Sequence, residues 1–163
     1  MVFQDARAEP LRKLGVETEV NMKFDHIGVT TGTLEAGRKL LELAIGVRAW
    51  TEAFEDISND VWAQFGRDAS GVCYELIAPR SDRSPILRVL GQKINVLNHV
   101  AYLVDDISAQ GARLVDAGFV EAGPPRPGIA YGNRPIQFMV SPSRLIIELI
   151  EAPDHRHNYS RTP

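Results

Sequence analysis

The stretch DHIGVTTGTLEAGRKLLELAIGV (residues 25–47) returns in altered letters as NHVAYLVDDISAQGARLVDAGFV (residues 98–120). A second pair follows the first: GVCYELIAP, ending at Pro79, and RLIIELIEAP, ending at Pro153. Self-similarity at a fixed offset is the mark of one structural unit built more than once. The matched histidines are His26 and His99, and the matched glutamates are Glu75 and Glu148. Their register is unbroken: 99 − 26 and 148 − 75 both equal 73, and 75 − 26 and 148 − 99 both equal 49. Insertions drift in duplicated units, so a spacing kept by two His and two Glu at once carries information.

Each half reads in the same order. Residues 24–30 and 97–104 are short runs of β-branched and apolar residues, suited to strands. Over residues 34–45, Leu34, Leu41, Ala44 and Ile45 recur at helical spacing, with Glu35, Arg38, Lys39 and Glu42 on the other face. Thr33 suits the N-cap and Gly46 the stop. A second helix is expected over about 108–117, capped by Asp106 or Ser108 and ended by Gly118. Strand-like segments close each half, at 49–54, 60–65 and 71–77, then at 120–122, 136–140 and 145–150. Residues 66–71 and 141–143 read as turns. The pattern predicts an α+β fold of tandem βαβββ modules, 23–80 and 97–153, within a single domain of residues 23–153. Residues 1–22 are expected to be a loosely attached extension, 80–92 a connection lying across the modules, and 154–163 a frayed tail. His155 and His157 fall in that tail and are expected to be exposed.

In a strand, residues two apart share a face. His26 then shares its face with Phe24 and Gly28, and His99 with Leu97 and Ala101, so each imidazole has a small neighbour. Glu75 projects with Cys73 and Ile77, and Glu148 with Ile146 and Ile150. A carboxylate on an otherwise apolar strand face is costly unless paired or metal-bound. One such residue reads as an ion pair or a solvent-facing edge. Two at one repeat position, matched with two His, point to a shared divalent cation. Two imidazoles and two carboxylates suit Zn, Ni, Co, Mn or Fe(II), and are nitrogen-rich for a Ca or Mg cage.

Bulk properties are compatible with this reading. The 163 residues are 44% hydrophobic and 24% charged, as in a soluble globular protein. No apolar run approaches the roughly 20 residues of a bilayer span, and the N-terminus lacks the apolar core of a secretory signal. The expectation is a cytoplasmic protein with no membrane partner. The formal charge is −3 and the basic residues are scattered, which argues against nucleic acid. Cys73 is the single cysteine, so neither an internal disulfide nor a cysteine zinc cluster can form.

FDHIGV, ELIAP, NHVAYLVDDI and IIELIEAP together resemble the vicinal oxygen chelate superfamily, which includes glyoxalase I, methylmalonyl-CoA epimerases, extradiol dioxygenases and fosfomycin or bleomycin resistance proteins. The resemblance covers about residues 23–153. Its closest look is to the epimerases, through SPILRVLGQKINVLNHVAYLVDDISAQGARLVDAGF and GNRPIQFMVSPSRLIIELIE. It implies a curved mixed sheet forming a cleft around one divalent ion held by His26, Glu75, His99 and Glu148, a small-molecule substrate, and a homodimer. The sequence departs from the epimerases in one respect: they often carry Gln at the position of Glu75, whereas His/Glu/His/Glu also resembles bacterial glyoxalase I.

The activity implied is removal of a proton next to a carbonyl, as in an epimerase or isomerase acting on an acyl-CoA or other acyl thioester. A glyoxalase I-type lyase is the alternative, and a drug- or metabolite-binding resistance protein on the same fold is a third. Glu148 is implied as one base. Epimerases place a second acid before the third strand of the first module, where SNDVW puts Asp60 nearest, with Asp56 and Glu55 close; Asp is also common in turns. In GPPRPGIAYGNRP (residues 123–135), Tyr131, Asn133 and Arg134 are candidate donors to a substrate carboxylate or thioester.

Overall fold

The computed structural model describes residues 21–91 and 97–159. Most of the expected extension, residues 1–20, therefore lies outside the described residues, as do 160–163 of the tail. In the first module β1 (Met22–Thr30) leads through α1 (Leu34–Ile45) to β2 (Ala49–Trp50), β3 (Phe54–Asp56), β4 (Val61–Arg67) and β5 (Cys73–Pro79). A short helix α2 (Ile86–Gly91) lies in the connection. The second module repeats the order with β6 (Leu97–Val104), α3 (Ile107–Asp116), β7 (Val120–Glu121), β8 (Arg126–Gly128), β9 (Arg134–Val140) and β10 (Ile146–Ile150). No helix among the described residues is long and apolar enough to cross a membrane.

Local chemistry sets the helix ends. Thr33 Oγ1 accepts from the Ala36 amide at 3.1 Å, and Gly46 closes α1 at φ 74°, where a side chain would be strained. Asp106, rather than Ser108, caps α3 by accepting from the Ala109 amide. Both helices bury a glycine: a Cβ at Gly37 would lie 2.8 Å from the Leu76 side chain, so α1 sits close on the sheet there. Ala44 and Ile45, expected on the buried face of α1, are exposed, because Gly37 and Leu41 make the contact.

One mixed sheet runs β2–β4–β5–β1–β6–β10–β9–β7, with β3 on β4 and β8 on β9. Within each module the first strand pairs parallel with the last: β1 with β5, and β6 with β10. The modules join where β1 meets β6 antiparallel. This edge-to-edge union removes two exposed strand edges and puts the histidine-bearing strands at the centre. The segment expected at 49–54 is split into β2 and β3, with Thr51 between them donating its amide to the Phe65 carbonyl. The 66–71 turn is shorter than expected, because β4 continues to Arg67 and Asp68 then holds the Ser70 and Val72 amides. The 123–135 connection is more ordered than a turn-rich loop, containing β8 and a 3-10 turn over Ile129–Tyr131.

Candidate metal centre

Strand register builds the centre. Gly28 on β1 pairs with Glu75 on one side and His99 on the other. Ala101 on β6 pairs with His26 on one side and Glu148 on the other. Two rows result, Glu75–Gly28–His99 and His26–Ala101–Glu148, each mixing the modules and each with its smallest residue in the middle. The space above Gly28 and Ala101 is where the four side chains converge. The rows extend to Phe65 beside Glu75 and Phe138 beside Glu148. Phe65 meets the His26 ring edge-to-face at 5.2 Å, and Phe138 meets the His99 ring at 5.4 Å, giving the centre two aromatic walls.

The Nε2 atoms of His26 and His99 lie 2.9 Å apart. Glu75 Oε2 is 3.4 Å from His26 Nε2 and 3.5 Å from His99 Nε2; Glu148 Oε2 is 3.4 Å and 3.2 Å from the same atoms. One donor atom from each residue falls within 4.8 Å of all the others. Ligands bound at about 2.0–2.2 Å lie roughly 3.0 Å apart at right angles and about 3.4 Å apart in a tetrahedron. The observed spacings fit either arrangement.

The outer hydrogen bonds orient the donors. Asp25 Oδ2 accepts from His26 Nδ1 at 2.9 Å, and Asn98 Oδ1 from His99 Nδ1 at 2.9 Å. With both protons on Nδ1, both Nε2 lone pairs face the centre, and two lone pairs 2.9 Å apart need a cation between them. Charge makes the same demand. Burial works against an ionised Glu148, but the two histidines beside it outweigh burial and hold the carboxyl below the ordinary carboxylate value, so that it asks for positive charge at the centre. Burial likewise opposes charge on His26, while Asp25, Glu148 and Glu75 raise it well above the ordinary histidine value. Asp25 is held well below the usual carboxylate range: burial opposes this, and hydrogen bonds from His157 and His26 prevail. The residues present thus fit a divalent cation.

His99, Glu75 and Glu148 open onto a cleft of about 250 Å³. Its walls are mostly apolar, including Phe54, Ile77, Ile129, Ile136, Phe138 and Ile146. Glu75 is the most open ligand, its side chain 15% exposed against 1% for His26.

The other sequence candidates divide. Tyr131 is brought to the centre: its ring lines the cleft, and its hydroxyl donates to Asp25 Oδ2 at 2.8 Å, 3.3 Å from His26 Nδ1. That hydroxyl is committed to Asp25. Asn133 and Arg134 are exposed, Asn133 in a turn at φ 64°, and neither lines the cleft. Asp60 also stays away. It occupies a tight turn at φ 53°, and its carboxylate faces Arg80 at 3.2 Å and accepts from the Ser81 hydroxyl. The neighbouring Asp56 does line the cleft, with its oxygens holding Ser58 and Asn59.

The tail corrects the expectation of exposed histidines. His157 packs against the Phe65 ring at 4.0 Å between centroids and reaches Asp25 Oδ2 at 3.0 Å, with a side chain 7% exposed. A partly buried carboxylate and an aromatic face give the ring a better setting than water. Asp25, Phe65, Phe138 and His157 were not among the sequence candidates. A usable signal existed for the two aromatics: Gln64-Phe65 and Gln137-Phe138 repeat at the same offset, since 137 − 64 and 138 − 65 are both 73. Nothing local marks His157.

Comparison with known proteins agrees with this architecture. The family model described as glyoxalase/bleomycin resistance protein/dioxygenase superfamily matches residues 25–139. No curated protein matches the chain. Among solved structures, a hypothetical protein from Bacillus halodurans C-125 is similar at a TM-score of 0.71 and 20% identity, over 85% of this chain and 99% of the other. Methylmalonyl-CoA epimerase from Mycobacterium tuberculosis is similar at 0.66 and 20%, over 78% and 86%. A Streptomyces coelicolor methylmalonyl-CoA epimerase variant in complex with 2-nitronate-propionyl-CoA is similar at 0.62 and 20%, over 78% and 95%. At such identities these structures speak to fold, whereas the family model spans most of the chain. The chain belongs to the glyoxalase/bleomycin resistance protein/dioxygenase superfamily.

Proposed function

We propose that this protein is a divalent-metal-dependent epimerase or isomerase that moves a proton on a carbon next to a carbonyl, with an acyl thioester as the substrate class. The observation that carries the reading is the complete set of two imidazoles and two carboxylates at the floor of an apolar cleft. When bound, the ion supplies a Lewis acid for the oxyanion that forms as the proton leaves.

The chain's own groups supply the rest. His26 and His99 turn their Nε2 atoms to the centre, with each Nδ1 held by Asp25 or Asn98. Among the described residues three carboxylates line the cleft, and Asp56 is held by Ser58 and Asn59, which leaves Glu75 and Glu148 for proton transfer. Glu148 is the base we assign, facing the substrate side from β10, with Glu75 across the centre on β5 to return a proton from the opposite side. Among the described residues no Lys or Arg lines the cleft, which favours an anionic group of the substrate facing the centre, while the apolar walls take the alkyl portion. The same walls exclude water and strengthen the electrostatics around the carbonyl.

Glu75, found where epimerases often carry Gln, favours a second reading, a glyoxalase I-type lyase acting on a thiol adduct of a 2-oxoaldehyde. The two readings share the proton-removal step and differ in substrate. The test is solvent deuterium exchange at the α-carbon, using a panel of 2-substituted acyl thioesters and 2-oxoaldehyde adducts with added Co, Ni or Mn. Exchange is expected with at least one class, and loss of at least 100-fold in Glu148→Gln, the scale of a lost acid–base group. Absence of exchange across the whole panel refutes both enzyme readings and leaves a binding protein.

A further inference from the structure

Asp25 does more than orient one histidine. Its Oδ2 takes three donors: His26 Nδ1 at 2.9 Å, the Tyr131 hydroxyl at 2.8 Å, and His157 Nε2 at 3.0 Å. The first two come from the core of the fold. The third comes from the segment after β10, which turns back where the His155 amide donates to the Ala152 carbonyl at 3.0 Å.

With both rings as single-proton tautomers, a carboxylate that can only accept sets the proton positions along this chain of groups. His157 donates from Nε2 to the carboxylate, so its Nδ1 carries the lone pair. His155 Nε2, 3.3 Å from that Nδ1, is then the donor. Beyond it, the Tyr159 hydroxyl donates to Cys73 Sγ at 3.0 Å, and the Arg67 guanidinium lies 4.5 Å above the Tyr159 ring. The segment is thus fastened at two places, beside β1 and at the start of β5. It covers His26, the one ligand that does not line the cleft.

The two modules differ at this point. Asn98 stands 73 residues after Asp25 and performs the same task for His99 with a neutral amide. A neutral amide needs little support, whereas a buried carboxylate needs its oxygens filled by donors if it is to remain charged and aimed. His157 supplies that support to one module only. A carboxylate held on His26 Nδ1 makes the Nε2 facing the centre a stronger donor, and outer partners of this kind govern metal affinity.

We propose that His157 is a positioning residue delivered by the C-terminal segment, which holds Asp25, and through it His26, in the metal-binding orientation, so that docking of the segment and affinity for the ion are coupled. The inference rests on the metal reading above.

The test is titration of the full-length apo-protein with Co²⁺, followed by its visible d–d bands and by competition with a chelator of known affinity. Wild type is compared with His157→Ala, His157→Gln and a chain ending at Pro153. His157→Ala and the shortened chain are expected to bind Co²⁺ about tenfold more weakly, at the lower end of the effect of outer-shell partners, with shifted bands. His157→Gln keeps an N–H donor for Asp25 and is expected to recover affinity to within about threefold of wild type, the residual uncertainty of a single polar contact. Should the shortened chain fail to fold, the two point variants decide the matter, with circular dichroism confirming their folds. Wild-type affinity and an unchanged spectrum in His157→Ala would overturn the proposal while leaving the metal reading intact. A wild-type protein that takes up no Co²⁺ would overturn both.

Discussion

Gly28→Ala is expected to disable the centre without removing any ligand. A Cβ built at Gly28 falls 2.3 Å from His99 Cε1, 2.5 Å from its Nδ1 and 2.7 Å from its Nε2. Ordinary contact is about 3.5–4.0 Å, so the imidazole must retreat by roughly 1 Å or more. It cannot do so freely, because Asn98 holds its Nδ1 at 2.9 Å and Phe138 faces its ring at 5.4 Å. Metal–ligand distances tolerate only about 0.2 Å. The methyl group therefore costs about 1–3 kcal/mol as overpacking in the apo-protein, a fall of roughly 2–12 °C in Tm for a chain of this size. It also removes His99 from the ligand set. The metal Kd, read by chelator competition, is expected to rise more than about 100-fold, beyond the range seen for outer-shell losses. Gly32→Ala is the control, since a Cβ there meets nothing within 4 Å. If Gly28→Ala binds metal as wild type does, the small residues between His and Glu are not what makes room for an ion.

Two further outcomes follow from groups around the centre. Burial pushes the Cys73 thiol up from 9.0 to about 11, the Tyr159 hydrogen bond acting in the opposite direction; a thiol kept neutral by the fold contributes stability that is complete below about pH 9 and is lost as pH rises towards 11, by at most about 3 kcal/mol. Denaturant midpoints measured from pH 8 to 11 should decline and Cys73→Ala should flatten part of that decline; an identical slope in the variant would exclude this origin. Metal removal should lower Tm, because an ion at about 100 times its Kd adds roughly 2.7 kcal/mol to the native state, and coincident melting curves with and without chelator would count against a site in the folded protein.

The four side chains that converge were legible in the sequence because they repeat. Two copies of a strand–helix–strand unit, each carrying one His and one Glu 49 residues apart, cannot easily keep that spacing by accident. The helix ends were legible too, through Thr33, Gly46 and Asp106, since caps are local hydrogen bonds and local backbone angles. Asp60 shows the opposite case. Its position in the chain suggested an acid at the site, but a tight turn aims its carboxylate at Arg80, while Asp56 faces the cleft. The two stand four positions apart, and strand alternation and turn geometry decide which one points inwards.

The sequence by itself determined the repeat, the α+β composition and the matched His and Glu pairs, because these depend on residue type and short-range periodicity. Tertiary structure decided which module's Glu meets which module's His. Strand alternation places Gly28 on the face of His26, yet pairing of β1 with β6 sets Gly28 beside His99 and Ala101 beside His26. Only that pairing brings the two halves' ligands around one point. It decided the placement of His157 as well, whose ring reaches Asp25 across 132 positions of sequence. Contacts of that range leave no periodic trace in the chain, because they are fixed by the closure of the fold and not by the preferences of neighbouring residues.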